Sequence, residues 1–176
     1  TESQFMRMID RPDIRIDLTF LRTSTYISRN TDSEYLERFY CTFSEIEADT
    51  YDGLIITGAP VEKLRFSQVA YWEELCRIFE WSKTHVSSLY TVCWGAQAAL
   101  HYFYGIEKQP LEKKLFGVFE HTLSHTGHPL LQGLEKKFYA PHSRHTSVTV
   151  LPEREKDGLE VLASSEKAGL HIAAAK

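Results

Sequence analysis

The sequence predicts an α/β fold built on a largely parallel sheet. Short apolar, β-branched runs alternate with amphipathic helical stretches, the pattern of strand–helix–strand units. Glycine and proline punctuate the ends of the apolar runs, as in "YDGLIITGAP" at residues 51–60. The 176 residues, 43% hydrophobic and 25% charged, suffice for one domain with a sizeable core.

Taken in order, "TESQFMRMID" places Phe5, Met6 and Ile9 at helical spacing. "DIRIDLTFL", Asp13 to Leu21, alternates Ile14, Ile16, Leu18 and Phe20 at period two and predicts a strand. "SEYLERFYCTFSEIEA" reads as a helix or paired helical turns, with Leu36, Phe39, Tyr40 and Phe43 on one side. Leu54 to Thr57 form a short buried strand, broken by Gly58 and Pro60. "SQVAYWEELCRIFEWSKTH" is an amphipathic helix with Val69, Trp72, Leu75, Ile78 and Phe79 facing in, and Ser67 is placed to cap it. "SSLYTVC" is the next strand, and "GAQAALHYFYG" the next helix, stopped by Gly105. "KLFGVFEHTLS", "KKFYAPHSRHTSVTVL" and "LEVLASSEKAGLHIAAAK" read as mostly β, with a hairpin region and returning strands. The chain starts in helix-like sequence without methionine and stops after a strand-like stretch, so the expectation is a single domain over 1–176 that is a segment of a longer polypeptide.

A net charge of −4 gives no basic surface for nucleic acid. The apolar runs are too short for a membrane span, and no signal peptide is visible. Cys41, Cys76 and Cys93 are widely spaced and form no zinc pattern, which points to free thiols in a reducing cytoplasm. Of the eight histidines, His121, His125 and His128 come nearest to a cluster, and no metal is expected. There is no dinucleotide fingerprint or phosphate loop.

"YTVCWGAQAAL", residues 90–100, carries the chemistry. Cys93 falls between a strand and a helix, at the strand's carboxyl end where open α/β sheets bind ligands. A nucleophile on such a bend projects its side chain, and the following helix N-terminus favours a thiolate. The pattern alone leaves a buried structural cysteine equally open. Cys41 and Cys76, inside helix-like segments, read as structural. Amides of the loop after Gly58, with that of Trp94, can bind a developing oxyanion, and the pattern alone leaves a simple tight turn equally open.

"Cys-Trp-Gly-Ala-Gln" resembles the Cys-x-Gly-x-Gln elbow of class I glutamine amidotransferases. Over nearly its whole length the chain resembles, more specifically, the homoserine O-acyltransferases, also called homoserine trans-succinylases. The matching stretches are "TESQFMR", "SRNT", "FYCTF", "DGLIITGAPVE", "YWEEL", "CWGAQAAL", the run from "YGI" to "KQPLEKKLFGVFEH", "APHSRHT" and "LASSEKAG", in that order.

The resemblance implies a flavodoxin-like, class I glutamine amidotransferase-like fold with helices on both faces of the sheet, here incomplete at both ends. It implies ping-pong acyl transfer: a cysteine takes an acyl group from an acyl-CoA, and an amino-acid hydroxyl then attacks the thioester. Carried over by position, Cys93 is the nucleophile, and the amides of Trp94 and Val61 form the oxyanion hole. Lys114 and Ser143 bind the amino acid, and Glu62 selects the acyl donor. Glutamate at that position marks acetyl transferases and glycine succinyl transferases, since a carboxylate crowds and repels the end of a succinyl group. The implied reaction is acetyl transfer from acetyl-CoA, a co-substrate rather than a cofactor, to L-homoserine in methionine biosynthesis, by a cytoplasmic homodimer. Succinyl transfer, acetylation of L-serine and a glutamine amidotransferase-like cysteine hydrolase are the alternatives. The family's general base is a histidine oriented by glutamate in a Gly-His-(Pro/Ser)-Glu-Tyr motif, expected after "AGLHIAAAK". Within the chain, His142 and His145 lie close to Ser143 in sequence, and the resemblance gives neither a general-base role; of the two, His142 is the alternative candidate.

Overall fold

The computed structural model describes residues 2–25, 33–125, 127–150 and 158–175. Two compact units emerge, Thr1–Asp49 and Thr50–Lys176. The "SRNT" stretch at 28–31 lies outside the described residues.

In the first unit, α1 (Glu2–Ile9) is the helix expected from its apolar spacing. It is followed by β1 (Phe20–Leu21), α2 (Ser33–Phe39), β2 (Tyr40–Cys41) and α3 (Phe43–Ile46). The strand expected from Asp13 to Leu21 shrinks to its last two residues. β2 offers partners only to Phe20 and Leu21, in parallel register with Tyr40 and Cys41. Alternation without a facing surface buries little, and Ile14, Ile16 and Leu18 stay exposed. The paired helical turns do form, but with a strand between them, so Cys41 sits in β2 rather than in a helix. α3 starts where the Thr42 amide and hydroxyl each donate to the Glu45 carboxylate at 2.7 Å, and these bonds hold the Glu45 carboxyl below its usual range.

The second unit starts with β3 (Leu54–Ile56) and β4 (Leu89–Thr91), parallel, with Ile56 opposite Thr91. α4 (Trp72–His85) connects them, as a parallel pair requires. Ser67 does not cap α4: it lies in a separate 3-10 turn, Phe66–Gln68, and the helix starts after Tyr71. The three intervening residues, Val69, Ala70 and Tyr71, carry the chain from one turn to the other, and the Trp72 amide donates back to the Val69 carbonyl at 2.9 Å. α5 (Trp94–Tyr104) follows β4 and ends at Gly105, whose left-handed φ of 63° closes the helix as expected. Phe66, Val69, Leu75, Phe79, Trp94 and Ala98 form the core between α4, α5 and β3–β4, with Phe79 and Ala98 wholly inaccessible.

The remaining strands, β5 (Lys108–Leu123), β6 (Lys137–Val148), β7 (Leu159–Ser165) and β8 (Gly169–Ala175), form a sheet in the order β6-β5-β7-β8. Every pairing in it is antiparallel. Among the described residues, strands pair in parallel at β1–β2 and β3–β4, with a further parallel bridge from Tyr51 to Val86, while the four later strands pair antiparallel. Leu100 and Ile106, from and just beyond α5, pack with Val148 and Leu159 and fasten this sheet to the elbow helix. A buried hydrogen bond makes the same connection: Thr146 Oγ1 on β6 lies 3.0 Å from Gln97 Oε1 on α5.

Candidate active site

Cys93 occupies the joint between β4 and α5. Its φ of 59° and ψ of −124° are the only positive-φ backbone among the described non-glycine residues. A β-carbon in that conformation costs on the order of 1–3 kcal/mol, and such strain is characteristic of a side chain that must be presented at one point. The thiol is exposed, as a nucleophile's must be.

Two glycines make the bend possible. A β-carbon on Gly95 would lie 2.7 Å from the Ile56 carbonyl oxygen and 2.8 Å from that of Thr57. One on Gly58 would meet Cys93 Cβ at 2.9 Å and Sγ at 3.0 Å, and the Trp94 nitrogen at 3.5 Å. The end of β3 thus lies against both the thiol and the first amide of α5. That amide belongs to the helix's first turn, which has no intrahelical acceptor. Val61, in the turn after β3, packs on the core cluster that contains Trp94. Of the two residues expected to line an oxyanion hole, Trp94 follows Cys93 directly, and Val61 packs on the core cluster that holds the Trp94 ring.

Glu62 is half-buried and fixed from two sides. Its carboxylate accepts the His145 amide of β6 at 3.1 Å, and its backbone carbonyl accepts from Lys108 Nζ. Lys108 also stands 4.8 Å from the centre of the Phe66 ring, and burial pulls its pKa down. Nothing in the local sequence singles out Lys108, because its partners lie 42 to 46 positions away. His145, two residues after Ser143, likewise enters through its backbone rather than its ring.

Ser143 and Lys114 share one face of the β5–β6 ladder. Ser143 is opposite Phe116, and Lys114 Nζ lies 5.5 Å from the centre of that ring. Both are exposed. Their neighbour Arg144 points to the other face, as strand alternation demands. Arg144 is the β6 residue that feels Cys93: burial lowers the guanidinium pKa, and the charge of a Cys93 thiolate raises it. One guanidinium nitrogen donates to the Ala168 carbonyl, while buried Nε has no partner among the described residues. The structure thus brings Arg144, missed by sequence reasoning, toward Cys93, and groups Ser143 with Lys114 on the opposite face.

His142 is not held against the thiol. Its Nε2 lies 2.9 Å from Nε2 of His121 on β5. Burial first, then the charges of Arg144, His171 and His121, lower the His142 pKa to about 4. Burial first, then His121 and Arg144, also lower that of His171. His125 instead pairs with Glu160 at 3.5 Å, and His128 Nδ1 accepts the Leu130 amide at 3.2 Å. The histidines nearest in sequence therefore part, and His121 joins residues from β6 and β8. Cys76 is half-buried in α4, where burial and then the Glu73 carboxylate push its thiol pKa up, away from reactive thiolate. A separate groove lined by Val148, Leu159 and Leu170 does not include Cys93.

A strained, exposed cysteine at a strand-to-helix turn, beside a parallel strand end, defines an elbow-type α/β protein of the glutamine amidotransferase-like fold. The backbone is similar to that of a putative GMP synthase subunit protein from Thermoplasma acidophilum, with a TM-score of 0.60 and 16% identity over 92% of this chain and 80% of that one. A family model described as homoserine O-succinyltransferase matches residues 1–176, and the chain belongs to that family. It is 49% identical over 172 residues to a protein of Lachnoclostridium phytofermentans named homoserine O-acetyltransferase, covering 98% of this chain and 57% of the relative. A Bacillus cereus protein of the same name is 51% identical over 172 residues, with the same coverage. The chain thus spans under two thirds of the length of these relatives.

Proposed function

We propose that this chain carries the nucleophile of a homoserine O-acyltransferase that moves an acetyl group from acetyl-CoA to the hydroxyl of L-homoserine. The observation that supports it most directly is the exposed, positive-φ Cys93 at the head of α5, beside the Trp94 amide and the end of β3. In the first step the Cys93 thiolate attacks the acetyl carbonyl of acetyl-CoA. The oxygen takes up negative charge facing the Trp94 and Val61 amides, the carbon–sulfur bond to CoA breaks, and CoA leaves as its thiolate. In the second step the homoserine hydroxyl loses its proton to a general base and attacks the Cys93 thioester. The Cys93 thiolate leaves, and O-acetylhomoserine is released. Lys114 and Ser143, which stand together on the face of the β5–β6 ladder away from Arg144, are assigned to the amino acid on the family resemblance alone, a cation for its carboxylate and a hydroxyl for a polar group. His142 is engaged with His121, so the base is assigned to the histidine–glutamate pair of the family's Gly-His-(Pro/Ser)-Glu-Tyr motif.

Glu62 supports acetyl over succinyl. Its carboxylate is anchored on the His145 amide in the turn that also carries Val61, where a second carboxylate would be repelled. Acetyl-CoA acts as co-substrate and no resident cofactor is assigned. The same reading sets the reaction in methionine biosynthesis in the cytoplasm, carried out by a homodimer.

The test is intact-protein mass spectrometry of the full-length protein mixed with acetyl-CoA or succinyl-CoA. The expected result is an acetyl adduct, absent from Cys93→Ala and discharged by L-homoserine. A succinyl adduct instead would remove the Glu62 argument and leave the family. Discharge by L-serine alone would change the acceptor. Glutamine hydrolysis without any adduct would replace the proposal with a cysteine hydrolase.

A further inference from the structure

We propose that His121, His142 and His171 form a binding site for one divalent late first-row transition-metal cation, with zinc(II) as its probe. The three come from β5, β6 and β8, and their ligand nitrogens all lie within 4.8 Å of one another. The rings are mutually packed, with centroids 4.4 Å apart for His121 and His171, 4.9 Å for His121 and His142, and 5.3 Å for His142 and His171.

The hydrogen bonds orient the donors. His121 is 1% exposed, and its Nδ1 lies 2.9 Å from the Phe119 carbonyl oxygen. A carbonyl only accepts, so Nδ1 carries the hydrogen and Nε2 presents a bare lone pair. A backbone carbonyl behind one ring nitrogen, with the other left free, is the support that metal-bound histidines use. The free nitrogen is aimed at His142 Nε2, 2.9 Å away, which donates to it while no cation is bound. Tetrahedral zinc–nitrogen bonds of about 2.0–2.1 Å set ligand nitrogens about 3.3 Å apart. The His121–His142 pair must open by a few tenths of an ångström, and both rings must turn so that their lone pairs converge on the cation instead of on each other. His142 moves its hydrogen to Nδ1, and half-exposed His171 closes from the third side, so uptake releases no proton from the group.

An all-imidazole set with no carboxylate suits zinc, nickel, cobalt or copper and disfavours magnesium or calcium. Arg144 opposes binding, since its positive charge acts on both His142 and His171. The affinity expected is therefore on the order of micromolar rather than that of a structural zinc site.

The test uses the full-length protein, freed of metal with a chelator, and titrates zinc(II) against a chromophoric competitor. One equivalent is expected, with His142→Gln and His171→Gln each weakening binding about tenfold or more and Cys93→Ala leaving it unchanged. Cobalt(II) is expected to give visible d–d bands without the near-ultraviolet band of thiolate ligation. His171→Gln, at the more exposed position, decides the matter if His142→Gln does not fold by circular dichroism. No zinc uptake by the wild type, wild-type affinity in His171→Gln, or a thiolate band lost in Cys93→Ala would each overturn the site. None of these readouts depends on acyl transfer.

Discussion

At the elbow, Cys93 is positioned by its own backbone, by Gly95 two residues on, and by one adjacent strand end at Ile56–Gly58. In the β6-β5-β7-β8 sheet, His121 and His142 lie on one face of the β5–β6 ladder, opposite Phe138 and Gly117 respectively, and His171 reaches them from β8, so that no two of the three are neighbours in sequence. The first arrangement depends on space, since there is no room for a methyl group at either glycine. The second depends on alternation, since sliding β6 by one residue against β5 would send His142 and Arg144 to the Ser143 face. The two regions should therefore fail in different ways.

The largest effects are expected at the glycines. Gly95→Ala drives a methyl into two backbone carbonyls, neither of which can rotate away, so a loss of about 1–3 kcal/mol in urea unfolding is expected, with activity falling alongside. Gly58→Ala presses mainly on the Cys93 side chain. Acyl-enzyme formation should fall by about tenfold or more while stability changes less. Equal stability losses in the two variants would break the distinction between holding the helix and holding the thiol.

Next in size is the tie between the two regions. Thr146→Val leaves the Gln97 carboxamide oxygen buried without its donor, at a cost of about 1–3 kcal/mol in the same unfolding measurement. A cycle with Gln97→Met should recover part of that loss, and strict additivity would remove the bond from the account.

Acid should loosen the sheet through its histidines. The folded chain holds His142 neutral down to about pH 4, whereas the unfolded chain protonates it near 6.5. Between those values the unfolded state binds more protons, so this share of stability is intact above pH 6.5 and is lost as the pH falls toward 4. With chelator present, His142→Gln should flatten that part of the urea-midpoint profile, and an unchanged slope would move the effect elsewhere. The smallest change is expected from Ser67→Ala, within about 0.5 kcal/mol of wild type, because Ser67 lies outside the first turn of α4.

The elbow was legible from sequence because its determinants are contiguous: an apolar run, a cysteine, then small residues that permit a tight turn. The helices at Trp72–His85 and Trp94–Tyr104 were legible for the same reason, through their apolar spacing and Gly105. The period-two pattern at Asp13–Leu21 misled, since alternation reports a strand's faces and not whether a partner strand exists to bury one. Ser67 misled because a cap residue fits a 3-10 turn as well as the α-helix after it. Arg144, Lys108 and the Gln97–Thr146 bond were not legible, since each acts on a residue 42 to 51 positions away through register alone. In sequence His121 groups with His125 and His128, but the strand carries it away from both.

The packing of Gly95 on the Ile56 and Thr57 carbonyls has a consequence for how such a chain can change over time. It makes the sulfur a fixed origin, unable to creep toward a different ligand by small shifts of the helix. Under the proposed acyl transfer, adaptation to a new donor or acceptor would then come from the walls around that origin, with Glu62 and the β5–β6 ladder as the proposed places. Selectivity can drift there by single substitutions while the reacting atom stays where it is.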